Sequence, residues 1–299
     1  MFSFGVDIGG TNMRCVLVAV RRGRLSLRAA WRFPIPKTRA AFLEALSNSA
    51  FRARTIAGRE KIRGIGIGVP GPLASDRTRV LVTPNAPQIN RIALPAWIHR
   101  HLRMRAVMEN DADLFTLAEA RFGAARRFSR VLGVTVGTGL GAGLVEGGHM
   151  VRGAHGAAGE MGHMVLVANG RRCSCGGRGH LEEYVSHRAF VREGGADPKD
   201  LMRRARRGER RAKATFDSIG AFLGLGISSA VNFWDPDIVV VGGGIGNAGN
   251  LLLIPARNAM RREIISPVVR RAIRVKHAKF GRFGGAIGAA LLLQPNYSR

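Results

Sequence analysis

The chain has 299 residues, 46% of them hydrophobic, with 40 glycines and 47 Lys+Arg against 20 Asp+Glu for a formal net charge of +27. That length and apolar content allow a large core and suit two domains better than one, and glycines scattered among apolar runs mark turns rather than a disordered low-complexity polymer. The charge invites a nucleic-acid reading, but its densest run, residues 202–211, puts arginine on every face of a helix without interleaved aromatics; it reads as solvated surface that attracts polyanions without specificity.

In chain order, the first apolar run ends in Asp7-Ile8-Gly9-Gly10-Thr11 and is followed by a second at residues 15–20, which reads as strand, tight turn and returning strand. Two glycines let main-chain N–H groups approach a bulky anion, the Thr11 hydroxyl adds a donor, and a strand carboxylate at Asp7 can hold a hydrated Mg²⁺. An ordinary hairpin with Gly-Gly at its tip would give the same local pattern. Residues 39–57 carry helical spacing, 62–69 read as a buried strand stopped by Pro70-Gly71-Pro72, and 80–85 end in a rigid Thr-Pro-Asn loop that can present Asn85. After a helix at 93–102, a short strand at Val107-Met108 runs into Glu109-Asn110-Asp111-Ala112-Asp113 and a helix at 114–122. A polar cluster at a strand's carboxyl end is where open α/β sheets keep ligands.

The second half repeats this grammar. A strand at 131–136 leads into Gly137-Thr138-Gly139-Leu140-Gly141, a second glycine turn, and a strand resumes at Leu144-Val145. A long apolar helix at 216–233 precedes a fully apolar strand at 238–241 and a third glycine turn, Gly242-Gly243-Gly244. Three glycine turns after buried strands outline a nucleotide between two similar α/β domains, with Gly9, Gly10, Thr11, Gly137, Thr138 and Gly139 toward its phosphates and Gly243 and Gly244 toward its adenosine. The three cysteines, Cys15, Cys173 and Cys175, make a poor disulfide framework and point to a reducing compartment, with metal binding or free thiols the better reading. The first strand begins within a few residues of Met1, and the uncharged stretches 218–234 and 238–256 are broken by Gly, Ser or Asn. A soluble cytoplasmic protein with no membrane span is therefore expected.

Taken together, Asp7-Ile8-Gly9-Gly10-Thr11, Glu109-Asn110-Asp111-Ala112, Gly137-Thr138-Gly139-Leu140-Gly141, Gly153-Ala154-His155-Gly156-Ala157-Ala158-Gly159-Glu160-Met161-Gly162-His163 and Cys173-Ser174-Cys175-Gly176 through Glu182 resemble the ROK (repressor, open reading frame, kinase) sugar kinases over essentially the whole chain. The resemblance implies an α/β protein with the two-domain actin-like ATPase fold, built on ribonuclease-H-like sheets with an interdomain cleft. The expected division is a smaller domain at 1–112, joined by a C-terminal helix at 286–299, and a larger one at 113–285 that carries a zinc loop.

It also implies roles. Asp111 matches the general base that takes a proton from a sugar hydroxyl; Asp111 could instead cap the following helix, though Asp113 fits the cap better. Asn110, Glu160, His163 and Glu182 match positions that hydrogen-bond sugar hydroxyls, with Asn85 a further candidate. The expected cofactors are ATP, Mg²⁺ and a structural Zn²⁺, and a homodimer is expected. The zinc ligands would be His163, Cys173, Cys175 and His180. His180 departs from the family pattern, which has cysteine there, and a lost metal site is the competing reading. The implied activity is ATP-dependent phosphorylation of a hexose, at the 6-hydroxyl of glucose or an N-acetylhexosamine. The alternatives are a non-catalytic sugar sensor, a kinase for allose or fructose, or polyphosphate as donor. The family's repressors carry a helix-turn-helix ahead of the first strand, where this sequence has only Met1 to Ser3.

Overall fold

A computed structural model describes residues 1–83 and 86–294. Contacts divide the chain into two compact units: Met1–Gly123 with His149–Ala158 and the segment from Phe283 onward, and Ala124–Gly148 with Gly159–Arg282.

The first unit contains β1 (Phe2–Ile8), β2 (Asn12–Arg21), β3 (Arg24–Pro34), α1 (Arg39–Ala57), β4 (Ile62–Val69), α2 (Leu94–Leu102), β5 (Ala106–Asn110) and α3 (Asp111–Phe122). Its sheet runs β3-β2-β1-β4-β5, with β1 antiparallel to β2 and parallel to β4. The rest of the chain adds β6 (Arg130–Val136), β7 (Leu140–Glu146), β8 (His149–Met150), α4 (Glu182–Val185), α5 (His187–Gly194), α6 (Pro198–Arg206), α7 (Arg210–Trp234), β9 (Ile238–Gly242), α8 (Gly243–Gly246), α9 (Asn250–Glu263), α10 (Pro267–Ala272), β10 (Arg274–His277) and α11 (Gly284–Leu291). The second sheet runs β10-β9-β6-β7-β8. Here too the first strand of a hairpin, β6, pairs antiparallel with β7 and parallel with a later strand, β9. The repeated grammar of the sequence is thus a repeated sheet topology.

Every residue of β1 is buried, because helices cover both faces of this central strand. On one face Phe4, Ile65 and Ile67 pack with Phe42 and Leu46 of α1 in one core. On the other, α11 comes so close that a Cβ at Gly5 would lie 1.9 Å from the Ala286 carbonyl oxygen, and one at Gly66 1.8 Å from that of Ala289. Glycine in the strands and a Gly/Ala-rich helix are two sides of one close approach.

The second core is organised by α7, whose buried stripe of Phe216, Ile219, Leu223, Ile227 and Val231 packs with Val239, Val241, Leu252 and Ala256. Among the described residues α7 is long and apolar enough to cross a membrane, with a mean hydropathy of 1.3 in its most apolar window, of which 56% is buried within the protein. The same stripe that raises its hydropathy is the one it buries in the core.

Three details depart from the expected elements. β3 has no counterpart in the sequence reading, since only Trp31 of its 11 residues is buried and no apolar run announces it. A division after residue 112 would cut α3, which the first unit keeps whole. The C-terminal helix begins at Gly284 and ends at Leu291; Asn85 and residues 295–299 lie outside the described residues.

Candidate active site and metal cluster

In the first unit, β1 delivers Asp7 to the turn at Gly9, Gly10 and Thr11, which is closed by a hydrogen bond from the Gly9 N–H to the Asn12 carbonyl (3.0 Å). Asp7 faces Arg14 across the antiparallel register, and Arg14 Nη1 donates to Asp7 Oδ2 at 3.2 Å. On the parallel side its neighbour is Gly68, where a Cβ would stand 3.6 Å from Asp7 Oδ1 and 3.7 Å from the Asp111 Cα. Gly68 thus lies between the two aspartates, in ordinary van der Waals reach of both.

Asp111 is the first residue of α3 and keeps partial exposure. Desolvation by its surroundings, reinforced by the negative charge of Asp7, pushes its carboxyl up to about 7, while the Ala112 N–H and Arg14 act in the opposite direction. Asp7 is likewise raised by burial, against the pull of Arg14. Two desolvated carboxylates with one guanidinium beside them carry unbalanced negative potential, and oxygen donors of this kind fit a hard divalent cation.

The helix cap is not Asp113. Asn110 occupies the N-cap position, its Oδ1 accepting from the Ala112 N–H (2.8 Å) and the Asp113 N–H (3.3 Å). Asparagine suits this position because its short amide oxygen satisfies donors left open in the first turn. With Oδ1 so engaged, Asn110 has its Nδ2 to offer a substrate. Asp113 turns inward, and its buried carboxyl is raised well above the usual range by desolvation and then by Glu109.

In the second unit, the Gly137–Gly139 turn joins β6 to β7, with the Gly137 N–H bonded to the Gly139 carbonyl (2.9 Å) and the Gly137 carbonyl accepting from the His187 N–H (2.9 Å). Glu182 lies directly on this turn. Its Oε2 accepts from the Leu140 N–H at 2.9 Å and occupies the space a side chain at residue 139 would need, 2.2 Å from where a Cβ would be. A Cβ at Gly243 would stand 2.4 Å from the Val136 carbonyl oxygen, and Gly243 adopts φ +87°, so the start of α8 also requires glycine.

His163, Cys173, Cys175 and His180 converge, with one ligand atom from each all within 4.8 Å of one another. Cys175 Sγ lies 3.2 Å from His180 Nδ1, His163 Nδ1 lies 3.4 Å from His180 Nδ1, and Cys173 Sγ lies 4.0 Å from His163 Nδ1. Ligand–ligand edges of about 3.3 to 3.8 Å are what a tetrahedral zinc with these bond lengths requires. The donor set is one that zinc accepts with histidine at position 180, and the His163–His180 separation matches such an edge while Cys173 Sγ stands farther out. The loop reaches this shape through a bridge between Val165 and His180 and a turn in which the Cys173 N–H bonds to the Gly177 carbonyl at 2.8 Å. His163 turns its other nitrogen, Nε2, toward Glu160 Oε2, 4.0 Å away. Cys173 also groups with Glu182 and Glu183, so the cysteine loop and the carboxylate on the glycine turn adjoin.

A profile of the ROK family matches residues 3–296. The chain belongs to the ROK family. Within it, the chain is 30% identical to a glucokinase of Streptomyces coelicolor, over 96% of each chain. It is 32% identical to an N-acetylgalactosamine kinase of Shewanella sp., covering 97% of this chain and 96% of that one. Among solved structures it is similar to a ROK family glucokinase from Streptomyces griseus in complex with glucose and AMPPNP, with a TM-score of 0.87, 30% identity, and 98% and 99% of the two chains covered. The fold is accordingly the actin-like ATPase fold of the ROK sugar kinases. The sequence reading missed Arg14 as the partner of Asp7; its signal was its place in the register, which only the pairing of β1 with β2 supplies.

Proposed function

We infer that the protein is an ATP-dependent hexose kinase, acting on the 6-hydroxyl of glucose or an N-acetylhexosamine with Asp111 as general base. The observation that carries this is Asp111 itself. It stands partly exposed at the start of α3, just after β5, with burial and Asp7 bringing its carboxyl up to about 7, where a base is about half ionised in neutral solution and still accepts a proton readily. Phosphoryl transfer asks the protein mainly for alignment and charge neutralisation. Asp111 takes the hydroxyl proton, and Asn110 donates from Nδ2 to a neighbouring sugar oxygen. Glu160, His163 and Glu182 accept from or donate to the remaining hydroxyls.

The Gly9–Thr11 turn and the Gly137–Gly139 turn would each offer main-chain N–H groups to phosphate oxygens, and Gly243 and Gly244 would leave room for adenosine. Asp7 would hold Mg²⁺, which supplies neutralisation of phosphate charge. The four-residue cluster would hold a zinc that fixes the loop bearing His163 and Glu160 and does not touch the phosphoryl group. Both thiols of the cluster require a reducing compartment, in keeping with a cytoplasmic location, and self-association as a homodimer belongs to the same reading.

The relatives named above act on glucose and on an N-acetylhexosamine, which supports this substrate class. A coupled ADP-release assay over aldohexoses, N-acetylhexosamines, fructose and allose, with ATP and with polyphosphate, tests it. Release stimulated by glucose or an N-acetylhexosamine is expected; binding of a sugar without ADP release would instead establish a sensor.

A further inference from the structure

Glu109, the residue before the Asn110–Asp111 pair, is almost wholly enclosed, at 1% exposure. Arg77 Nη1 meets its Oε1 at 2.5 Å and Arg152 Nε meets its Oε2 at 2.8 Å. Oε1 also accepts the backbone N–H of Asn110 at 3.0 Å. The carboxylate is thus gripped by two cations while it holds the N–H of Asn110, the residue before Asp111.

Each cation comes from a separate stretch of chain. Arg77 lies in a hairpin bridged at Leu73 and Val80 and adopts φ +56°, a conformation uncommon outside glycine. Its guanidinium also underlies Gly156, where a Cβ would come within 2.7 Å of Nη2. Arg152 begins the loop to which Gly156 belongs, and that loop is closed by a bond from the Ala158 N–H to the Arg152 carbonyl (3.0 Å). The hairpin, the loop and the end of β5 therefore meet on one carboxylate. Asp113, whose Oδ1 is buried without a hydrogen-bond partner, borders the same cluster, and burial, then the charge of Glu109, raises its carboxyl well above the ordinary range.

An arrangement like this is a poor device for stability alone, since well-packed apolar residues serve as well as or better than a buried Arg–carboxylate–Arg cluster. Its distinctive effect is geometric, because it fixes a peptide group next to the catalytic carboxyl. We propose that Glu109, through Arg77 and Arg152, is a positioning residue that sets the placement of Asp111 and couples it to the loop at residues 152–158. Displacement of a base by a fraction of an ångström lowers the rate without abolishing sugar binding.

The proposal rests on the kinase reading for its kinetic arm and is independent of it for its structural arm. Steady-state kinetics of Glu109→Gln, Arg77→Met and Arg77→Lys are measured with the sugar that turns over fastest, alongside amide hydrogen exchange at residues 109–112. Glu109→Gln is expected to lower kcat by about tenfold or more while changing sugar KM by less than about threefold, the signature of a loss confined to the transition state. Exchange at Asn110 is expected to accelerate by about tenfold as the amide loses its charged acceptor. Arg77→Lys should recover part of what Arg77→Met loses, since a single charge suffices at Oε1. If Glu109→Gln does not fold, Arg152→Gln is expected to show the same kcat and KM split. Wild-type kcat in these variants, or unchanged exchange at Asn110, overturns the proposal. A wild-type protein that turns over no sugar overturns the kinase reading, and the exchange measurement still decides the role of Glu109.

Discussion

At the scale of single residues, the position of Asp111 has opposite consequences for rate and stability. As a base it must be ionised, so kcat/KM is expected to rise with pH and level off above about 7, the value to which burial and Asp7 bring it. Asp111→Asn should keep sugar binding and lose about a hundredfold or more in kcat, the scale of a positioned base; turnover at the wild-type rate would remove Asp111 from that role. For stability the folded-state value lies above the unfolded one of about 3.9. Between these two values the unfolded chain binds fewer protons than the folded chain, and stability falls as pH rises. Asp111→Asn is therefore expected to melt at a higher temperature than wild type, by a margin that is absent near pH 4 and grows until about 7. Thermal melts across that range check the sign.

At the scale of elements, legibility followed burial. The hairpin of β1 and β2, the strands β4 and β6 and the glycine turns were readable because apolar runs broken by glycine report a strand covered on both faces. β3 was not, because an edge strand with only Trp31 buried carries charge where a core strand carries leucine. The cap of α3 was misassigned to Asp113, since sequence cannot distinguish an asparagine bonded to its own helix from an aspartate turned into the interior. Likewise Arg77 and Arg152 are 75 residues apart, and only the fold brings both to Glu109.

The four expected ligands, His163, Cys173, Cys175 and His180, lie together in the fold, and their geometry bears on the histidine that stands where the family has cysteine. His180 Nδ1 sits 3.2 Å from Cys175 Sγ and 3.4 Å from His163 Nδ1, within reach of a common ion. Elemental analysis of protein purified without chelator is expected to give about one zinc per chain, the stoichiometry of a closed four-ligand site. His180→Ala should lower that occupancy and raise the sugar KM, because the loop also bears His163 beside Glu160. His180→Cys should restore both, and metal-free protein of full activity would refute the assignment.

At the scale of the whole molecule, the charge of +27 understates how basic the surface is. Five of the carboxylates, Asp7, Glu109, Asp113, Glu119 and Glu183, are buried, so the exterior loses part of its small acidic complement. Some arginines are answered locally, as Arg203 is by Asp200 and Arg204 by Asp200 and Glu209. Elsewhere cations gather with each other: Arg257, Arg261, Arg271, Arg274 and Lys276 line a cavity of about 400 Å³ beside β10, with no carboxylate in its lining. Arg257 there spends its guanidinium on the Val275 carbonyl, and charges along an edge strand also discourage pairing with another chain. This arrangement attracts phosphate-rich polymers through counterion release and offers their sequence nothing to be read by. Binding to a heparin column or to duplex DNA is therefore expected at low salt and should fade near about 0.15 M, where the screening length is about 8 Å. Its logarithm should fall linearly with the logarithm of salt concentration, equally for unrelated sequences. Tight binding to one sequence that survives at that salt would show instead that the arginines form a recognition site, and would add nucleic acid to the partners of a sugar kinase.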